Sequence, residues 1–200
     1  MTLIKFCGMT RANDVAAACE LGVEAVGFVL WPKSPRHVQM RHLAPLIKML
    51  PPTVTPVGVF VSPEDGDVRQ AREAGVRVVQ IHGDNARRFD GEVWVARPLG
   101  TELDDDLSTI FHDVTIVLDA HDPERHGGTG RTIDWARAAA VAARRKVLLA
   151  GGLTAANVGA AIDQVRPFGV DVASGIEDRP GIKNAQAMKA FVAAVREAER

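Results

Sequence analysis

Eight short apolar, β-branched segments alternate with segments of helical composition along this chain, and that alternation limits its fold more than any other feature. The apolar segments occupy residues 3–7, 24–30, 54–61, 76–82, 93–97, 114–119, 146–150 and 169–173. Helical composition or period marks 13–21, 41–50, 63–74, 103–111, 133–143, 155–165 and 184–199. Strands separated by helices return to the same end of a sheet and pair in parallel, and eight such units in one compact α/β domain favour closure into a (βα)8 TIM barrel. A flavodoxin-like open sheet is the rival architecture. Only a short or degenerate helix fits between Gly83 and Gly91, so the fourth helical unit is expected to be abbreviated. No linker or low-complexity tract divides the chain, and its 200 residues predict a single domain, 1–200, near the lower limit for this barrel.

Charge balance narrows the partners. With 24 Lys and Arg against 25 Asp and Glu the formal net charge is -1, which offers no basic field to nucleic acid or to an anionic membrane, so neither is expected as a partner. Cys7 and Cys19 are the two cysteines, and neither a signal-like apolar region nor a bilayer-spanning run is visible, so a reducing cytoplasm is the expected location. Cys19 shares the apolar face of the first helix with Val15, Ala18 and Gly22, where packing rather than reactivity is expected. The ligand must therefore be read from the carboxyl ends of the strands, where a barrel of this kind holds its chemistry.

The first strand runs into Lys5-Phe6-Cys7-Gly8-Met9-Thr10-Arg11. Alternation sends Lys5 and Cys7 to one side and Ile4 and Phe6 to the other, leaving at the strand tip either a reactive thiol or a small buried cysteine; Thr10 to Asn13 then offers helix caps. The sixth strand, Ile116-Val117-Leu118-Asp119, puts a carboxyl group at its own tip. An apolar strand end beside a glycine-rich loop favours proton transfer by Asp119 over a simple loop cap. The seventh and eighth strands end in Ala150-Gly151-Gly152-Leu153-Thr154, followed by a helix, and in Ala173-Ser174-Gly175-Ile176-Glu177. Gly151, Gly152, Ser174 and Gly175 are accordingly phosphate candidates, because backbone N–H groups of glycine turns approach an anion without interference from Cβ and a helix amino terminus adds positive charge.

Val170 and Val172 should face the helices, which turns Asp171 into the barrel beside Lys5 on the neighbouring strand. An interior Lys5–Asp171 pair is expected, since either charge alone is costly to bury. Arg36, in the proline-stiffened loop Trp31-Pro32-Lys33-Ser34-Pro35-Arg36, suits bidentate binding of a carboxylate. Gln80 and His82 share an inward face, so that His82 either lines the mouth or is a satisfied structural histidine. The stretch Gly127-Gly128-Thr129-Gly130 lacks the lysine and spacing of a P-loop and reads as a lid beside Asp119, with Gly128 a candidate ligand contact. His121 and His126 form no metal-ligand spacing, and no metal is expected.

Taken in order, Lys5 to Arg11, Gly27-Phe28-Val29, Ser34-Pro35-Arg36, Val79-Gln80-Ile81-His82-Gly83, Leu118-Asp119, Gly127 to Gly130, Ala150 to Leu153 and Asp171 to Glu177 resemble the phosphoribosylanthranilate isomerase family over essentially the whole chain. The Cys-Gly opening, the Ser-Pro-Arg loop and the later Asp, in that order, carry the specificity of the match. The resemblance implies a βα barrel and the Amadori rearrangement of N-(5-phosphoribosyl)anthranilate to 1-(2-carboxyphenylamino)-1-deoxyribulose 5-phosphate in tryptophan biosynthesis. It further implies Asp119 as general acid at the furanose oxygen, Cys7 as general base at C2′, Arg36 on the anthranilate carboxylate, a small-molecule sugar phosphate as partner and no cofactor. A monomer and a homodimer both remain open. Ala173 stands where the family often has Ser, and Asn184 where an Asp is common, although Asn still caps a helix. Two alternatives compete: a different sugar-phosphate isomerase on the same barrel, for which an acidic residue at position 7 would be expected, and a noncatalytic phosphate-ligand binder that retains the glycine turns.

Overall fold

The computed structural model describes residues 1–83, 89–99, 114–119 and 134–200. The strands β1 (Leu3–Cys7), β2 (Ala25–Val29), β3 (Thr55–Val61), β4 (Val78–His82), β5 (Glu92–Pro98), β6 (Thr115–Asp119), β7 (Val147–Leu149) and β8 (Gly169–Val172) follow one another round a closed barrel. Every neighbouring pair is parallel, and β8 returns to β1 with Lys5 opposite Asp171. Closure excludes the open sheet. Six α-helices are present among the described residues: Ala12–Glu20, Met40–Ile47, Asp65–Glu73, Trp135–Ala142, Val158–Val165 and Ala185–Glu197. The abbreviated unit expected after β4, the helix expected at 103–111 and the glycine-rich loop with His121, His126 and Gly128 lie outside the described residues.

Strand alternation divides the apolar side chains into two layers. Ile4, Phe6, Val79, Ile81, Ile116, Leu118, Val170 and Val172 point outward and pack under the helices. Cys7, Val57, Val59, Val78, Trp94, Val117 and Leu148 point inward and fill the barrel. Phe6 is fully buried and meets Phe191 of the last helix edge to face, with centroids 6.2 Å apart. Burying a side chain of that size stabilises the fold by about 1.5–3 kcal/mol, and the aromatic pair adds about 0.5–1.5 kcal/mol.

Side-chain caps set several helix starts. Glu64 and Asp67 form a reciprocal capping box, so the third helix begins at Asp65 rather than at Pro63. Asp134 accepts from the backbone N–H groups of Ala136 and Arg137, and Asn184 from that of Ala187. The first helix departs from expectation, because its cap is Arg11 without a side-chain bond. Thr10 instead donates its hydroxyl to the Gly181 carbonyl, held there by the approach of a hairpin that follows β8. That hairpin consists of β9 (Glu177–Arg179) and β10 (Ile182–Lys183), paired antiparallel. No helix among the described residues is long and apolar enough to cross a membrane.

Candidate active site

The carboxyl ends of the strands surround a cavity of about 670 Å³, within the usual size for a small-molecule site. Cys7 and Asp119, on β1 and β6, both line it. Arg36, His82, Gly151, Gly152 and Ser174 line it as well, so side chains and turns separated by most of the chain converge on one space. Gly128 lies outside the described residues.

Beneath the cavity floor, Lys5 is fully buried and donates to both Asp171 oxygens at 2.9 Å. Burial by itself would lower the Lys5 pKa, but the charges of Asp171 and Cys7 together outweigh it and raise the value. The Cys7 thiol, 8% exposed, is pushed up by burial, and the nearby Lys5 cation offsets only part of that rise. Gln80, on the inward face of β4, contacts His82 through its amide nitrogen at 3.3 Å from Nε2. Its amide oxygen is buried without a hydrogen-bond partner among the described residues, and Gln80 lines the cavity, which suits a ligand hydroxyl.

The two glycine-rich ends are held by specific local contacts. Gly151 and Gly152 both adopt positive φ, 82° and 67°, in a tight turn that exposes backbone to the cavity. The helix after them starts at Val158 instead of residue 155, because the Asn157 side chain accepts from the Thr154 N–H at 2.8 Å and donates to the Gly152 carbonyl at 3.0 Å. The Thr154 N–H is therefore already engaged. Gly175 sits in the 3-10 turn Ser174–Ile176, next to the cavity-lining Ser174. Its backbone presses on the β7 loop so closely that a Cβ would lie 1.9 Å from the Leu153 carbonyl oxygen. Gly175 thus locks the two loops together, while Ser174 and the Gly151–Gly152 turn face the cavity. Gly175→Ala is expected to destabilise the protein by about 1–3 kcal/mol or more. A thermal melt should fall by roughly 2–4 °C for each kcal/mol, and an unchanged melt would contradict this close contact.

Arg36 does not enter the cavity as an open cation. Its guanidinium is held by Glu177, with Nε 2.9 Å from Oε1 and Nη2 2.7 Å from Oε2. Glu177 also accepts from Lys183 Nζ at 2.8 Å, and Lys183 is a fully buried cation. Both residues escaped the sequence analysis as functional positions. The one usable signal was the Pro180-Gly181 turn between two short charged segments, which marks a hairpin placed at the mouth.

Comparison with known proteins is consistent across sequence and structure. Residues 4–194 match the family model described as N-(5'phosphoribosyl)anthranilate (PRA) isomerase. The N-(5'-phosphoribosyl)anthranilate isomerase of Pelobacter propionicus is 40% identical over 202 residues, covering 98% of this chain and 97% of that protein. The crystal structure of phosphoribosyl anthranilate isomerase from Thermotoga maritima superposes with a TM-score of 0.88 at 35% identity, covering 98% of this chain and 100% of that one. A second phosphoribosyl anthranilate isomerase structure, in complex with reduced 1-(o-carboxyphenylamino)-1-deoxyribulose 5-phosphate, superposes with a TM-score of 0.85 at 33% identity, covering 98% and 100% of the respective chains.

Proposed function

The chain belongs to the phosphoribosylanthranilate isomerase family and is an isomerase of tryptophan biosynthesis, and from that premise we propose that Cys7 and Asp119 carry its two proton transfers within the cytoplasm. The observation that supports this assignment is the convergence of a thiol and a carboxyl group, from opposite parts of the sequence, on one cavity that also contains glycine turns suited to phosphate. The substrate is N-(5-phosphoribosyl)anthranilate, and all 200 residues serve one catalytic unit.

Asp119 donates a proton to the furanose ring oxygen as the C1′–O bond breaks, leaving a Schiff base between C1′ and the anthranilate nitrogen. The Cys7 thiolate then removes the C2′ proton, and the electron pair of that C–H bond forms the C1′–C2′ double bond of an enolamine. Protonation at C1′, with loss of the C2′ hydroxyl proton as its O–H pair becomes the C2′=O bond, gives the ketone. Carbon C2′ is oxidised and C1′ reduced within the same molecule, so the rearrangement needs no external electron acceptor. Arg36 holds the anthranilate carboxylate, and the Gly151–Gly152 turn with Ser174 meets the phosphate. His82 stands beside Gln80 at the wall, where the pair meets the ribose hydroxyls.

Turnover of freshly generated phosphoribosylanthranilate, followed by loss of its fluorescence, tests the activity directly. The pH dependence tests the base. Because burial raises the Cys7 pKa above the ordinary thiol value of 9.0, thiolate is the minority form near neutrality. Because the reaction also needs Asp119 protonated, the thiol limb is isolated in Asp119→Asn, whose residual kcat/KM should climb about tenfold per pH unit from neutral upward, as expected for a base still largely protonated. A plateau reached below pH 7 in that variant would rule out a raised thiol as the base.

A further inference from the structure

Glu177 and Lys183 take no part in the proton transfers, yet they are buried charges at the mouth of the barrel, with side chains 3% and 0% exposed. Lys183 Nζ donates to three acceptors, the Cys7 carbonyl at 2.6 Å, the Ala173 carbonyl at 3.0 Å and Glu177 Oε1 at 2.8 Å. An ammonium group has three protons, so this set satisfies it. Glu177 in turn covers the Nε–Nη2 edge of Arg36. A guanidinium offers two bidentate edges, and with the first taken, the Nη1–Nη2 end is the one left for a ligand carboxylate.

The arrangement also controls charge. Burial would raise Glu177, but the bonds and charges of Arg36 and Lys183 outweigh that effect and hold its pKa below the ordinary carboxylate range, so Glu177 is ionised at neutral pH. Burial lowers Lys183, and the adjacent Glu177 offsets part of the drop. Arg36, Glu177 and Lys183 together carry one net positive charge, which keeps the mouth attractive to an anion although a carboxylate is built into it. The hairpin bearing Glu177 and Lys183 is itself anchored: Lys183 N donates to Asp14 at 3.2 Å, and Arg11 donates to the Lys183 carbonyl at 3.2 Å.

We propose that Glu177 is a positioning residue for the substrate carboxylate, holding Arg36 so that its Nη1–Nη2 end meets that group, while Lys183 ties the same unit to the backbone of Cys7. Recognition of the carboxylate and placement of the base are then set by one bonded assembly. Pre-ordering Arg36 removes the cost of immobilising a long side chain on binding. This rests on the reading of Arg36 as the carboxylate holder, and the test separates the two.

Binding of reduced 1-(o-carboxyphenylamino)-1-deoxyribulose 5-phosphate and of the same compound without its carboxyl group is measured by calorimetry on wild type, Arg36→Met, Glu177→Gln and Glu177→Asp. Wild type should prefer the carboxylated ligand, and Arg36→Met should abolish the preference. Glu177→Gln should reduce the preference by about tenfold, weakening the carboxylated ligand and leaving the other nearly unchanged. Glu177→Asp keeps a charge opposite Lys183 but is one methylene too short to span both nitrogens; it should show the same selective loss and carries the test if the Gln variant does not fold. Equal weakening of both ligands would mean a merely structural role and overturn the proposal, as would an unchanged preference in the Glu177 variants beside a lost one in Arg36→Met. A preference that survives Arg36→Met overturns the Arg36 reading and this proposal with it.

Discussion

Cys7→Ala is expected to lower kcat by about 10²–10⁴ while leaving affinity for the reduced product analogue within about twofold. The range is that of a single positioned general base, and the small binding effect follows from the position of the thiol. Cys7 is 8% exposed on the inward face of β1, among apolar neighbours, and in the proposed mechanism other residues meet the phosphate and the carboxylate. Asp119→Asn should lose a similar factor, because the amide fills the same space and donates no acidic proton. Combining the two should cost little beyond the larger single loss, since either alone stops the same reaction. Near-native turnover in either variant, with an intact melt, would remove that residue from the mechanism. Weak binding of the analogue by Cys7→Ala would instead point to a distorted pocket.

The second large effect concerns stability. Asp171→Asn leaves the fully buried Lys5 ammonium without its counter-charge, and Lys5→Met leaves Asp171 without its cation; each should cost about 3–5 kcal/mol. For a chain of 150–250 residues that corresponds to a fall in Tm of roughly 6–20 °C. The double variant Lys5→Met with Asp171→Leu should recover most of the loss, because no charge is then stranded in the barrel. Single variants costing under about 1 kcal/mol would show that the pair is not desolvated in solution. The sign with pH follows from Lys5, whose folded-state pKa is raised above its ordinary 10.5. Its contribution is complete below about pH 10.5 and is lost as pH rises through the folded value, so the pair should make the protein sensitive to alkali. The double variant also removes the cation that does most to favour the Cys7 thiolate, so recovered stability should coincide with a thiol limb displaced further upward in pH.

The barrel was legible because strand alternation is a local property. Lys5 and Cys7 against Ile4 and Phe6, or Asp171 against Val170 and Val172, are sorted by a period of two that needs no knowledge of the rest of the chain. Helix starts were less legible, since they depend on individual side chains: Asn157 delays one helix to Val158 by using the groups that would have opened it earlier. The state of Arg36 was not legible at all. Its partner Glu177 is 141 positions away on a strand of three residues, and neither residue belongs to a periodic pattern. Gly175 shows a further limit, because sequence marks it as a phosphate candidate without revealing the close approach to Leu153 that also requires a glycine there.

The closure of β1 on β8 has a consequence for synthesis. The thiol at position 7 emerges from the ribosome early, but Asp171, which steadies its neighbour Lys5, and Lys183, which grips its own carbonyl, come 166 and 176 positions after their partners. Until those late residues are made, the first strand has no eighth strand to pair with, and the long loop between them must still be closed at an entropic cost. The thiol at the barrel mouth is therefore translated among the first residues and covered among the last. Oxidative stress should accordingly damage nascent and refolding chains far more readily than the finished barrel.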